Sequence, residues 1–284
     1  MAEPDPWRFA EPASPPAPAE IVPDSASSFE FSAFAQPPKK EFPAWTIWDV
    51  AVIPGATVLA IFLCSLIALG IAHSLRNFHR VSFSELAQDP LIVVGSQIAS
   101  YPLVIAFMVR IVRRRSSEAF LTAIRWNWPS GKAIWFYLSG IVLAFSVEGL
   151  AHFLPVPKSL PMDKFFNDAT SAYVMAFFGI LIAPVLEELF FRGMLFPTLR
   201  RGLGTVIAVL LTAAAFASIH GAQLGYAWAP ILSIFVVGLV LTMVRERTDS
   251  VAASVLTHSG YNFTLFALLW IGSDHFHHLE KLSS

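Results

Sequence analysis

The chain has 284 residues, 55% of them hydrophobic and 14% charged, with a mean hydropathy of +0.61 and a formal net charge of −1. A water-soluble domain of this size needs about 25% charged residues to cover its surface, so the composition excludes a protein solvated by water alone. The near-neutral charge excludes a nucleic-acid partner, which requires a basic face, and a single cysteine, Cys64, excludes an intramolecular disulfide.

Residues 1–45 hold ten of the 20 prolines among Ala, Ser and the acids Glu3, Asp5, Glu11, Glu20, Asp24, Glu30 and Glu41. Such a segment buries too little apolar surface to offset its ordering entropy, so a disordered, Pro/Ala-rich cytoplasmic tail is expected there. It lacks a basic n-region followed by an apolar h-region, and no cleavable signal peptide is expected. Seven apolar stretches follow, near 48–73, 91–113, 132–154, 172–199, 204–222, 226–245 and 250–272. Each is long enough for the ~20 residues that cross a bilayer core as helix. The expected fold is therefore all-α, a polytopic transmembrane helix bundle of about seven spans. Ser96, Gln97 and Ser100 make the second stretch the least apolar in character. N-terminal transmembrane helices are assigned to 46–165, a core to 166–273 and a short tail to 274–284.

Basic residues set the expected orientation. Arg113, Arg114, Arg115, Arg125 and Lys132 follow the second stretch, Arg200 and Arg201 the fourth, and Arg245 and Arg247 the sixth, while Lys39 and Lys40 precede the first. With seven spans all fall on one side, the cytoplasm by the positive-inside rule. This places the N-terminus inside and the C-terminus outside; Arg76 and Arg80 run against the trend. Trp45, Trp48, Trp135, Tyr137, Tyr226, Trp228 and Trp270 lie near span ends and suit an aromatic belt.

An ionisable residue at membrane depth is costly and calls for a function or a partner. The fourth stretch carries Pro184, Glu187, Glu188, Arg192 and Gly193 in otherwise unbroken apolar sequence. Glu188 and Arg192, four apart with the acid first, share a helical face and can neutralise one another. Glu187 points about a quarter turn away and is free for chemistry. Pro184 removes a backbone donor and should kink the helix, leaving carbonyls that lipid cannot satisfy. The fifth stretch pairs Phe216 with His220 and the seventh His258 with Asn262, each pair four apart on one face. Counting ~1.5 Å per residue from the turns near 201 and 250, Glu187 and His220 lie roughly 21 and 28 Å deep, and His258 and Asn262 roughly 12 and 18 Å. With helix tilt, all four can meet inside the membrane. Gly179, Gly193, Gly260 and Ala213-Ala214-Ala215 permit close helix approach, or are ordinary small-residue packing. Glu148 and His152 read best as a self-satisfied pair near the outer interface, and His275, His277 and His278 as a solvated tail.

Glu-Glu-x-x-x-Arg, Phe-x-x-x-His and His-x-x-x-Asn, each in its own apolar span and in this order, resemble the CAAX-protease and bacteriocin-processing (CPBP) family. That family includes type II CAAX prenyl endopeptidases and lysostaphin-resistance-A-like proteins. The resemblance covers about residues 170–270 and implies an intramembrane peptidase in the plasma membrane of a prokaryote. Its partners would be membrane lipid and membrane-associated peptides or proteins, prenylated CAAX-type C-termini among them. It also implies that Glu187 and His220 activate a water, that His258 and Asn262 stabilise the oxyanion, and that Glu188, Arg192 and Phe216 support the site. Family members are often labelled metalloproteases, and zinc on Glu187, His220 and His258 is one reading. Without a His-Glu-x-x-His motif, and with an asparagine that donates better than it ligates, a metal-free, glutamate-dependent reaction is the favoured expectation. A proton-coupled transporter is the first rival and predicts Glu187-dependent flux without cleavage. A non-catalytic scaffold is the second and predicts that Glu187→Ala is silent.

Overall fold

The computed structural model describes residues 42–75, 82–157, 159–166 and 168–276. The tail expected over 1–45 lies outside these residues as far as position 41, as do Arg76, Arg80, His277 and His278. Residues Glu41–Ser284 form one compact unit. Among the described residues there is no strand, and the long helices are α1 (Ile47–Ser74), α2 (Pro90–Arg115), α3 (Ala133–Ala151), α4 (Ala169–Leu203), α5 (Thr205–Ile219), α6 (Trp228–Thr248) and α7 (Val251–Gly272).

The helix starts follow local chemistry. Thr46 and Asp49 form a reciprocal capping box on α1, Asp89 caps α2 ahead of Pro90, Asp168 caps α4 and Ser250 caps α7. Gly204, at φ +77°, makes the turn between α4 and α5 that a side chain would resist. Helices α1, α2, α3, α4 and α6 are long and apolar enough to cross a membrane, as an integral membrane protein requires. Helix α5 is apolar but only 15 residues long. Helix α7 has 22 residues, with Ser254, Thr257, His258, Ser259, Asn262 and Thr264 diluting its apolar character.

Among the described residues, the basic segments that follow α2, α4 and α6 meet at one end of the bundle. Arg201 donates to the carbonyls of Pro43 and Trp45, Arg115 pairs with Asp49, Arg200 with Glu246, and both Arg125 and Arg245 with Asp249. Trp45 departs from the aromatic-belt expectation: it is 1% exposed and its indole N–H donates to the carbonyl of Met194 at 3.3 Å. Its polar atom found a partner inside the protein, so the ring needs no interface. Trp48, Trp135, Tyr226 and Trp228 remain exposed.

Helices α3 and α7 cross at a pair of glycines. A Cβ on Gly140 would stand 2.0 Å from the carbonyl oxygen of Thr257, and one on Gly260 would stand 2.1 Å from that of Tyr137. Any larger residue at either position would force the backbones apart. Gly238 of α6 meets the backbone of Ala213 in α5 in the same way. These contacts bring α3 against α7 and α5 against α6.

Candidate active site

Helix α4 is interrupted twice by π-helical turns, Phe178–Ile182 and Leu189–Leu195. Each is followed, two residues on, by a proline, Pro184 and Pro197. The pattern has a backbone cause. In the first turn the Ala183 N–H reaches back five residues to the carbonyl of Phe178. The next donor, which would serve the carbonyl of Gly179, belongs to Pro184 and does not exist. In the second turn Phe196 bonds to Phe191, and the donor owed to the carbonyl of Arg192 falls on Pro197. Neither carbonyl can be left bare in an apolar interior. Asn262 of α7 donates its side-chain amide to Gly179 at 2.7 Å, and the guanidinium Nε of Arg245 in α6 donates to Arg192 at 3.2 Å. The kink expected at Pro184 is thus realised as a widened turn, with a side chain from another helix completing the bonding.

Glu187 and Glu188 lie between these two turns. Arg192 Nη1 donates to Glu188 Oε1 at 2.7 Å, both side chains being fully buried, while its Nη2 donates to the carbonyl of Gly238 at 3.0 Å. The same carboxylate oxygen accepts from His258 Nδ1 at 2.9 Å. A carboxylate that already neutralises an arginine is an acceptor, so His258 carries a proton on Nδ1. Its Nε2 then faces Glu187 Oε2 at 3.8 Å, beyond direct hydrogen-bond range. A chain of polar groups runs Arg192–Glu188–His258–Glu187, with Glu187 at its accessible end.

His220 caps the end of α5, and its Nδ1 lies 2.8 Å from the carbonyl of Phe216. A carbonyl only accepts, so Nδ1 is protonated and Nε2 keeps a lone pair. The Phe216 ring lies 5.0 Å from that of His220 and 5.6 Å from that of His258, edge-on to the latter, and the Arg192 guanidinium sits 4.6 Å from its centroid. Phe216 is therefore the wedge that keeps the two imidazoles apart and stacks on the buried cation.

Glu187, Phe216, His220, His258 and Asn262 all line one cavity of about 990 Å³. Glu188 and Arg192 lie behind its wall. The structure also brings in residues that the sequence reading left aside. Gln97 and Tyr101 of α2 line the cavity, four apart in the stretch whose polarity was its visible anomaly. That spacing of polar groups was the available signal. Glu148 lines it too, and among the described residues no side-chain bond joins it to His152, so the self-satisfied pair does not form. The reason is rotational: His152 lies past the last turn of α3, its ring edge-on to Phe153, while Glu148 turns toward the cavity.

A zinc site on Glu187, His220 and His258 is not supported by this geometry. Among the described residues no three His, Cys, Asp or Glu side chains are grouped as metal ligands. His258 spends Nδ1 on Glu188, and the Phe216 ring stands against both imidazoles.

Residues 169–264 match the family described as type II CAAX prenyl endopeptidase, Rce1-like. No curated protein and no solved structure matches the chain.

Proposed function

With residues 169–264 as an Rce1-like type II CAAX prenyl endopeptidase domain, consistent with the CPBP family, we propose that the chain is an intramembrane endopeptidase hydrolysing peptide bonds of membrane-associated substrates. In this reading residues 166–273 are the catalytic core and 46–165 the helices that flank it. The basic end of the bundle faces the cytoplasm of a prokaryotic cell. The observation that carries the reading is one cavity wall on which three helices set a carboxylate, two imidazoles and an amide, each with its unused donor or acceptor free.

Amide hydrolysis needs a base beside a water and donors aimed at the developing oxyanion. Glu187 accepts a proton from the attacking water, with His220 Nε2 as a second acceptor for that water. His258 holds one proton on Nδ1 toward Glu188 and turns Nε2 toward Glu187 and the cavity, from where it donates to the oxyanion when Nε2 also carries a proton. Asn262 gives one amide N–H to Gly179 and keeps the other for the oxyanion. Collapse of the tetrahedral intermediate breaks the C–N bond, and the proton held at Glu187 passes to the leaving amine. Phe216, Glu188 and Arg192 position these groups. The wall also offers Phe178, Leu265, Phe266 and Leu269 to an apolar group on the substrate, so prenylated and unprenylated peptides are compared.

The test is Glu187→Gln against wild type in proteoliposomes, using prenylated and unprenylated peptides. The expected result is cleavage by wild type and a loss of about 10²–10⁴-fold in kcat for the variant. Full activity in Glu187→Gln overturns the assignment.

A further inference from the structure

The cavity has a direction. Its lining includes Glu187, Phe216, Val237 and His258 within the helices. From there its lining runs only toward one end of the bundle, reaching Pro157, Leu160, Met162 and Asp163 between α3 and α4 and Gln223 and Leu224 between α5 and α6. These two segments are tied together, the Met162 N–H donating to the carbonyl of Gln223 at 3.0 Å. On the opposite side of Glu187 a separate pocket of about 310 Å³, at Phe42, Pro197, Arg200 and Arg201, shares no lining residue with the cavity. Glu188 and Arg192 are fully buried, Arg245 is 1% exposed, and Trp45 packs beneath them against Met194. Among the described residues, none from the segments 42–49, 113–132 or 245–251 touches the cavity.

Those closed-off segments are the ones that carry the basic clusters. The mouth end holds Asp163, Lys164 and Asp168 between α3 and α4, Glu85 and Asp89 before α2, and Asp274 after α7. In the sequence, Arg76 and Arg80 stand between α1 and α2, Lys158 between α3 and α4 and Lys281 after α7, scattered rather than clustered; all four lie outside the described residues. The lysine and arginine bias that sets orientation therefore points to the end away from the mouth.

We infer that the cavity opens on the non-cytoplasmic side of the membrane, so that its substrates are peptide segments displayed at the outer face rather than C-termini presented from the cytoplasm. The inference rests on the hydrolase reading for what is cut. Its geometric part rests only on the lining of the cavity and the charge asymmetry. Water and a polar peptide backbone enter from the outer face, and the buried Arg192–Glu188 pair closes the floor against the cytoplasm.

Cys64 makes the test simple, because Cys64→Ser removes the single cysteine of the chain. In that background, Ala222→Cys and Thr170→Cys report on the mouth end and Ser130→Cys on the basic end; all three positions are exposed. A membrane-impermeant maleimide is applied to intact cells whose plasma membrane carries the full chain. Ala222→Cys and Thr170→Cys should label before permeabilisation, and Ser130→Cys only after it. The reverse pattern overturns the inference, and either mouth-end variant suffices if the other does not accumulate. A second arm adds to intact cells an impermeant fluorogenic peptide that the purified protein cleaves. Glu187-dependent cleavage from outside supports the inference, and cleavage only after permeabilisation overturns it. If the purified protein cleaves no peptide, the hydrolase reading fails while the labelling pattern still decides the side.

Discussion

The two π-helical turns of α4 pose the same problem and are completed by different chemistry. Both leave one carbonyl without a backbone donor, because a proline sits where the donor should be. At the cavity wall the missing bond comes from Asn262, a neutral amide with a second N–H to spare. At the floor it comes from Arg245, a buried cation that also pairs with Asp249 at the basic end. The first arrangement leaves a donor exposed to the cavity, where water can substitute for a lost partner. The second sits in dry protein beside another buried arginine, where nothing can. The comparison shows one backbone device serving two purposes: a wall that can do chemistry and a floor that holds it still.

Variants can break this contrast, beginning at the floor. Arg192→Met leaves Glu188 buried without its cation and should cost about 3–5 kcal/mol of stability, read as a collapse in yield of folded protein in detergent. Arg245→Met leaves the Arg192 carbonyl unpaired and should cost about 1–3 kcal/mol, with the protein that does fold retaining cleavage. Asn262→Ala at the wall should cost about 1 kcal/mol or less in unfolding experiments, because a cavity water can reach Gly179. On the proposed mechanism the same variant loses about 10²–10³-fold in kcat. An equal stability loss at Arg245 and Asn262 would erase the distinction between floor and wall. The smallest effect sharpens it. Pro184→Ala restores an N–H for Gly179, so in that background the stability cost of Asn262→Ala should shrink by about 0.5 kcal/mol, measured as a double-mutant coupling.

Much of the architecture was legible in the sequence because hydrophobic length is a strong signal. The seven apolar stretches became α1 to α7 with ends moved by a few residues, and the Glu188–Arg192 pair followed from spacing alone. The shared cavity of Glu187, His220, His258 and Asn262 was within reach of counting residues from the turns. Other features were not. Gly140 carries no signal in the sequence, because its importance depends on Thr257 lying across from it, which no local pattern records. Trp45 read as an interfacial residue because its partner, Met194, is distant in the chain. In the sequence Arg245 looks like one more basic residue at a helix end, whereas its guanidinium turns inward to a carbonyl that only a π turn leaves open.

The sequence by itself determined that the chain lives in a membrane, where its helices lie, and which ionisable groups stand at depth, since those follow from hydropathy and from spacing within single helices. Tertiary structure alone decided that Glu188 is shared by Arg192 and His258, that two prolines recruit side chains from α6 and α7, and that the cavity reaches one end of the bundle and not the other. These are relations between helices, set by how backbones cross at glycines and by which carbonyls remain to be satisfied once they have crossed.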